Sequence, residues 1–232
     1  MIIAIAVIVT FWNVLIGKIN NNYMENKKPR ILVAVPYHRA KGYCLSQLLQ
    51  KIEKLTFENK DVIMRWDLAK FGGTDNVKKQ REYFRKLALS GDYTHLYFLG
   101  ADTIPPDDVL ERLLEHKKDI VGGVYWGRHN ANNGKPQGAV AWIHSKTEAY
   151  QTRIFSQKNQ LLSIDGMGMD SVLISREVLE KISWRSWFQN DDDYPFYDKA
   201  KELGYKVYID TNIQCEHYFS GDGFTYMAEV YE

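Results

Sequence analysis

Acidic and imidazole side chains at the ends of apolar runs are the first candidates for chemistry in this chain. Asp67 closes the run Val62-Ile63-Met64-Arg65-Trp66, and Gly100-Ala101-Asp102-Thr103 closes Thr94 to Leu99. Pro36-Tyr37-His38 follows Ile31 to Val35 in the same way. If those runs are parallel strands, all three clusters fall at the carboxyl edge of one sheet, where open α/β sheets bind ligands. An aspartate at a strand end also serves as an N-cap for the next helix, so the coincidence of the three clusters carries the argument. A second acidic group, Asp191-Asp192-Asp193, lies just ahead of Tyr194-Pro195. Adjacent carboxylates repel, which favours a raised pKa in at least one and suits a proton acceptor. Acids ahead of a helix are also stabilising without any catalytic purpose.

These groups need a frame, and the pattern from Arg30 onward supplies one by alternating strand and helix signals. Ile31 to Val35 reads as a buried strand ended by Pro36. Leu45, Leu48, Leu49, Ile52 and Leu55 recur at helical spacing. Val62 to Trp66 is a second strand, a helix follows from about Asn76 to Leu89 with Arg81, Tyr83 and Phe84, and Thr94 to Leu99 is a third strand. Pro105 and Pro106 suit the first turn of a helix running to about His116. Further along, Asp119 to Trp126 looks like a strand and Arg128 to Gln137 like a polar loop. Gly138 to Ile143 and Leu161 to Ile164 are strand candidates able to pair as a hairpin. Met169 to Ser175 is a strand, Arg176 to Ile182 a short helix, and Tyr194 to Leu203 a helix stopped by Gly204. Lys206 to Asp210 and Ile213 to His217 close the sheet. The expected fold is α/β, a largely parallel central sheet with helices on both faces.

The totals agree with one such domain over residues 30–232. The chain has 232 residues, 45% hydrophobic and 13% aromatic, enough for one good core. Thirty Lys and Arg against 29 Asp and Glu leave a formal charge of +1, so no long-range field draws a polyanion, and no nucleic-acid partner is expected. Cys44 and Cys215 are too few for a disulfide framework and match no zinc pattern. Residues 1–29 stand apart. Ile2 to Gly17 is almost wholly apolar and just short of the roughly 17–25 residues a spanning helix needs. Lys18, Lys27, Lys28 and Arg30 follow it, so insertion would leave the rest of the chain cytoplasmic. Translation starting at Met24 is the other reading, and both place the domain in the cytoplasm, with or without membrane association through residues 2–17.

The run from Thr94 to Leu110, followed by Asp119 to Tyr125, resembles the core of the GT-A glycosyltransferases, of the family 2-like nucleotide-diphospho-sugar transferase kind. There a hydrophobic strand delivers a D-x-D motif, a helix starts after prolines, and a second strand follows. Ile31 to Tyr37 is similar to their nucleotide-binding first strand, Asp192-Asp193 to their E-D element, and Cys215-Glu216-His217 to their late metal-binding histidine. The likeness covers residues 30–218. It implies transfer of a sugar from a nucleotide-sugar donor to an unknown glycan, lipid or protein acceptor, with Mn²⁺ or Mg²⁺ as cofactor.

The resemblance also implies roles. Asp102 and His217 would supply metal ligands, oxygen and imidazole donors that suit a cation neutralising a diphosphate leaving group. Pro36, Tyr37, Asp67, Arg81, Gly100, Ala101 and Asp102 fall where the family holds the donor. Asp193, with Asp192 before it, matches the base of an inverting enzyme. Gly166, Met167 and Gly168 resemble the segment that lets backbone approach donor sugar and acceptor, although a tight turn would read the same way. Trp126 offers a stacking face for a sugar ring, or packs. The chain departs from the family at Gly100, where the first acid of D-x-D is expected, which keeps open a degenerate domain that binds nucleotide or glycan without turnover. Sugar-phosphate nucleotidylyltransferases share the sheet, but want a glycine-rich loop with a basic residue after the first strand, and Pro36-Tyr37-His38-Arg39 has no such glycines.

Overall fold

The first strand, β1 (Ile31–His38), shows how the sequence builds the sheet. Its side chains alternate: Ile31, Val33 and Val35 enter one apolar cluster, and Leu32 and Ala34 enter another on the opposite face. A strand buried on both faces belongs inside a sheet covered by two helical layers. The structure, a computed structural model, describes residues 28–67, 74–127, 139–143, 151–152, 160–184, 193–218 and 225–226. The apolar segment at residues 2–17 lies outside the described residues. Among those described, no helix is long and apolar enough to cross a membrane.

After β1 come a 3₁₀ turn (Arg39–Cys44), helix α1 (Leu45–Lys54), strand β2 (Lys60–Asp67), helix α2 (Thr74–Ser90) and strand β3 (His95–Leu99). A two-residue strand β4 (Thr103–Ile104), helix α3 (Val109–Glu115) and strand β5 (Ile120–Val124) follow. The second half holds β6 (Ala141–Ile143), β7 (Gln151–Thr152), β8 (Leu161–Ile164), β9 (Gly166–Met167) and β10 (Ser171–Ser175). It ends with helices α4 (Arg176–Lys181) and α5 (Tyr194–Glu202), then β11 (Val207–Gln214), β12 (Glu216–Tyr218) and β13 (Thr225–Tyr226).

Seven strands form the central sheet in the order β2-β1-β3-β10-β5-β11-β8. β1 is parallel to both β2 and β3, and β5 is parallel to β11, while β10 and β8 run against their neighbours. The fold is therefore the expected Rossmann-like α/β sheet, mostly parallel. Leu48 of α1 and Val109, Leu110 and Leu113 of α3 cover one face. Phe84 and Ala88 of α2, Val178 and Leu179 of α4, and Phe196, Tyr197 and Ala200 of α5 cover the other. Arg176 fastens α2 from beneath: its guanidinium donates to the carbonyls of Ala88, Leu89, Gly91 and Tyr93 at 2.8–3.1 Å, satisfying the open end of the helix.

Three local expectations differ from what is observed. β1 runs through Pro36 to His38, because past Ala34 it is paired to β2 alone, and a strand accepts proline where one side carries no ladder. Pro105 and Pro106 precede α3 instead of forming its first turn; the helix begins at Val109, whose N–H donates to the Pro106 carbonyl. β6 and β8 do not pair as a hairpin. β6 joins β7 and β9 in a small separate sheet, and β8 becomes an edge of the main sheet against β11.

Candidate functional site

Because β2, β1 and β3 are parallel neighbours, the segments after them emerge side by side at one sheet edge. After Leu99 the chain turns sharply, the Thr103 N–H donating to the Gly100 carbonyl at 3.2 Å, and Asp102 is left 2% exposed. β4 then pairs antiparallel with β12, placing His217 opposite Thr103. The Tyr218 N–H donates to the Asp102 carbonyl at 2.8 Å, locking that register. Asp102 and His217 are thus brought together by a small three-stranded sheet, β13-β12-β4, set beside the main one.

A third group arrives from the far side of β3. Ser171 stands opposite Leu99 in the antiparallel β3/β10 ladder, and the Gly100 N–H donates to the Asp170 carbonyl at 2.9 Å. Asp102, Asp170 and His217 each offer a ligand atom, and those atoms lie within 4.8 Å of one another. His217 Nδ1 is 2.5 Å from the Trp126 carbonyl. A carbonyl can only accept, so Nδ1 carries a proton, and Nε2 faces Asp102 Oδ2 at 3.4 Å. The Tyr125 ring packs edge-on against the imidazole at 5.3 Å and fixes its plane. Burial raises the Tyr125 phenol well above its ordinary value, and the charges of Asp170 and then Asp193 push the same way.

Two carboxylates and one imidazole form a donor set suited to a divalent ion such as Mn²⁺ or Mg²⁺. The Thr103 hydroxyl oxygen, buried beside Gly100, has no hydrogen-bond partner among the described residues, so the pocket holds a further polar atom for a ligand shell. The residues fit a metal. One cation of the protein already touches the group: the Lys41 ammonium, from the 3₁₀ turn after β1, contacts Asp102 Oδ2. Tyr43 lies 3.4 Å from the same oxygen and donates to the Tyr218 carbonyl at 3.2 Å. The turn is pinned to the Asp102 loop by Cys44, whose buried thiol donates to the Ala101 carbonyl at 3.1 Å and is pushed up in pKa by that burial.

Asp193 occupies the N-cap position of α5, but it has helical backbone angles and its side chain caps nothing. Its carboxylate instead pairs with Arg81, which is almost fully buried on α2. Arg81 thus engages the carboxylate that the sequence resemblance offered as a candidate base. Asp192 lies outside the described residues, as does the Asp67 side chain, although the Asp67 backbone pairs with His38 at the end of β2.

The remaining candidates take clear positions. Tyr37 is buried, its ring tilted against Trp66 with 4.2 Å between centroids, and Pro36 stands opposite Arg65. Ala101 is buried, its carbonyl held by Cys44. Trp126 is buried and meets the site through its carbonyl. Gly166 and Met167 form β9 and not a turn. A Cβ at Gly166 would strike the Trp142 indole, and one at Gly168 would lie 1.8 Å from the Tyr125 hydroxyl, so both glycines admit the protein's own aromatic rings. Asp170, Tyr125 and Lys41 are absent from the sequence-derived site. For Asp170 there was a signal: an acid missing at position 100 asks for one from elsewhere.

No protein-family model matches the chain, and no curated protein matches it. Solved structures with a similar fold include A197 from STIV, 21% identical, covering 82% of this chain and 86% of that one with a TM-score of 0.54. The inositol-1-phosphate CTP transferase from T. maritima is a looser likeness, 13% identical over 80% of this chain and 86% of that one, with a TM-score of 0.42. At these identities the likeness to A197 establishes the fold alone.

Proposed function

We propose that this chain is a metal-dependent glycosyltransferase of GT-A architecture that moves a sugar from a nucleotide donor onto an acceptor hydroxyl with inversion. The observation that carries the proposal is the convergence of Asp102, Asp170 and His217 at the carboxyl edge of β3. When bound, a divalent ion supplies Lewis-acid neutralisation of the departing diphosphate. Asp102 and His217 would hold it, and Asp170 would provide the carboxylate that Gly100 cannot. Pro36 and Asp67, at the ends of β1 and β2, contact the nucleoside, and the buried Tyr37 supports that edge from beneath. Asp193 accepts the proton of the acceptor hydroxyl, and the guanidinium of Arg81 orients that carboxylate. The proposed location is the cytoplasm, on the inner membrane face if residues 2–17 insert.

The test is nucleoside-diphosphate release from a panel of sugar nucleotides, with and without Mn²⁺. Metal-dependent release with at least one donor supports the proposal, and no release with any donor rejects it. A sugar-phosphate nucleotidylyltransferase is the second reading, and one observation favours it: Lys41 places a basic group beside the site straight after β1. That enzyme would release pyrophosphate from a nucleoside triphosphate and a sugar 1-phosphate, so the two products separate the readings.

A further inference from the structure

Two cationic or metal-seeking groups converge on a single oxygen. The Lys41 ammonium contacts Asp102 Oδ2, and His217 Nε2 faces the same atom at 3.4 Å. The carboxylate is 3% exposed, so it is poorly screened by water, whereas Lys41 retains 22% exposure and a flexible stem that can swing outward. A divalent ion bound between Oδ2 and Nε2 would stand against the ammonium at close range. Like charges at that range in a buried site repel strongly, so the ammonium and the metal compete for Oδ2. Charge counting among these groups points the same way. Without metal, Lys41 offsets one of the two carboxylates, Asp102 and Asp170. With metal, the two carboxylates are balanced by the ion, and the displaced ammonium is a surplus positive charge at the mouth of the site.

We infer that Lys41 is the resident cation of the metal-free site and couples metal entry to diphosphate binding: it holds Asp102 until a divalent ion takes that oxygen, then turns its ammonium to the donor's diphosphate. The inference rests on the metal site proposed above. The coupling follows from competition, because a ligand that must displace an occupant binds with an affinity reduced by the fraction of sites that are free. The tether formed by Cys44 and Ala101 keeps the backbone of Lys41 in place, so only the side chain need move.

The experiment compares full-length wild type with Lys41→Met and Lys41→Arg, using two probes: Mn²⁺ alone and the preformed Mn²⁺–pyrophosphate complex. Free Mn²⁺ is followed by electron paramagnetic resonance, and binding of the complex by calorimetry. Lys41→Met should bind Mn²⁺ alone about 10-fold more tightly, since the competitor is gone. It should bind the pyrophosphate complex more weakly than wild type, since the ammonium that would meet the phosphates is gone too. Lys41→Arg keeps a cation and should stay near wild type on the first probe. Opposite signs on the two probes are the signature. A lysine that only supports the fold would weaken both, and one that competes without meeting phosphate would strengthen both; either result, or no change, overturns the inference. If Lys41→Met does not fold, Lys41→Gln carries the same comparison. Asp102→Asn separates the two levels of failure. Loss of Mn²⁺ binding there, with no opposing effect at Lys41, leaves the metal site standing and removes the coupling, whereas Mn²⁺ binding indifferent to Asp102→Asn removes both.

Discussion

Asp170 stands where a side chain at position 100 would have to go: a Cβ on Gly100 would lie 2.6 Å from both the Cβ and the Cγ of Asp170. The departure from the D-x-D pattern and the extra carboxylate are therefore one arrangement. Restoring the acid should harm the protein. Gly100→Asp forces two carboxylates and the Thr103 hydroxyl into one volume, and overpacking of this kind costs about 1–3 kcal/mol. Denaturant titration should show that loss, and Mn²⁺ affinity should fall instead of rising. The exchange Gly100→Asp with Asp170→Gly should recover part of the stability, because it removes the atoms that clash. A single Gly100→Asp protein as stable as wild type would show that the loop relaxes freely and that the packing argument is wrong.

The imidazole offers a second test. His217 donates from Nδ1 to the Trp126 carbonyl, which orients the ring, and turns Nε2 toward Asp102 Oδ2. His217→Ala should weaken Mn²⁺ binding by about 10-fold or more. The melting temperature of the metal-free protein should move less than that of the Mn²⁺-saturated protein. Equal melting shifts in both states, with unchanged Mn²⁺ affinity, would assign His217 to packing.

How far the site was legible depended on how local its determinants are. β1, β2 and β3 announce themselves through apolar runs closed by polar residues, and their parallel packing follows from the helices between them, so the carboxyl edge and Asp102 could be read from the sequence. His217 was found through a motif, yet the geometry that delivers it, β4 against β12, involves strands too short to show any periodicity. Asp170 depends on an antiparallel strand entering between β3 and β5, a pairing across more than seventy positions that no window of sequence contains. Lys41 was missed because it lies on a 3₁₀ turn, whose side chains follow neither of the two familiar periods. The glycines at 166 and 168 were seen, but their cause is Trp142 and Tyr125, residues distant in sequence that only the folded chain brings against them.

The third prediction concerns pH and the opposite end of β3. His95 opens that strand, and burial pushes its imidazole down from 6.5 to about 4. The folded protein therefore resists protonation where the unfolded chain accepts it. Below pH 6.5 the unfolded state binds more protons, so stability falls as the pH drops from 6.5 toward 4 and levels off below. The window corresponds to roughly 3 kcal/mol. Chemical denaturation at pH 7 and pH 4.5 should show a smaller acid loss in His95→Gln than in wild type. An identical loss in both would place the acid sensitivity elsewhere, for example in carboxylates such as Asp61, whose pKa is lowered by hydrogen bonds from Tyr93 and Arg30.

The last prediction concerns Asp193, where a structural and a catalytic role make different demands on the same side chain. A capping aspartate has extended backbone angles and bonds the free amides of the first turn. Asp193 has φ −89° and ψ −51° and makes no such bond, so helix α5 does not owe its start to this carboxylate. Pro195 in the first turn, pre-set for helical φ, does that work without it. The carboxylate turns instead to Arg81 and lies near enough to Tyr125 for its charge to act there together with that of Asp170. An acid freed from capping, oriented by a buried guanidinium and close to the candidate metal ligands is placed as a general base would be. Asp193→Asn keeps the size and a hydrogen-bonding oxygen for Arg81 but cannot take a proton at neutral pH. It should bind nucleotide diphosphate with Mn²⁺ as wild type does and lose on the order of 10²–10⁴-fold in transfer rate. Asp193→Ala should lose the rate and also stability, because the buried Arg81 is left without this counter-charge. Single-turnover transfer, measured beside equilibrium nucleotide binding, separates the cases. Near-normal transfer by folded Asp193→Asn would make the Arg81–Asp193 pair a purely structural tie between α2 and α5.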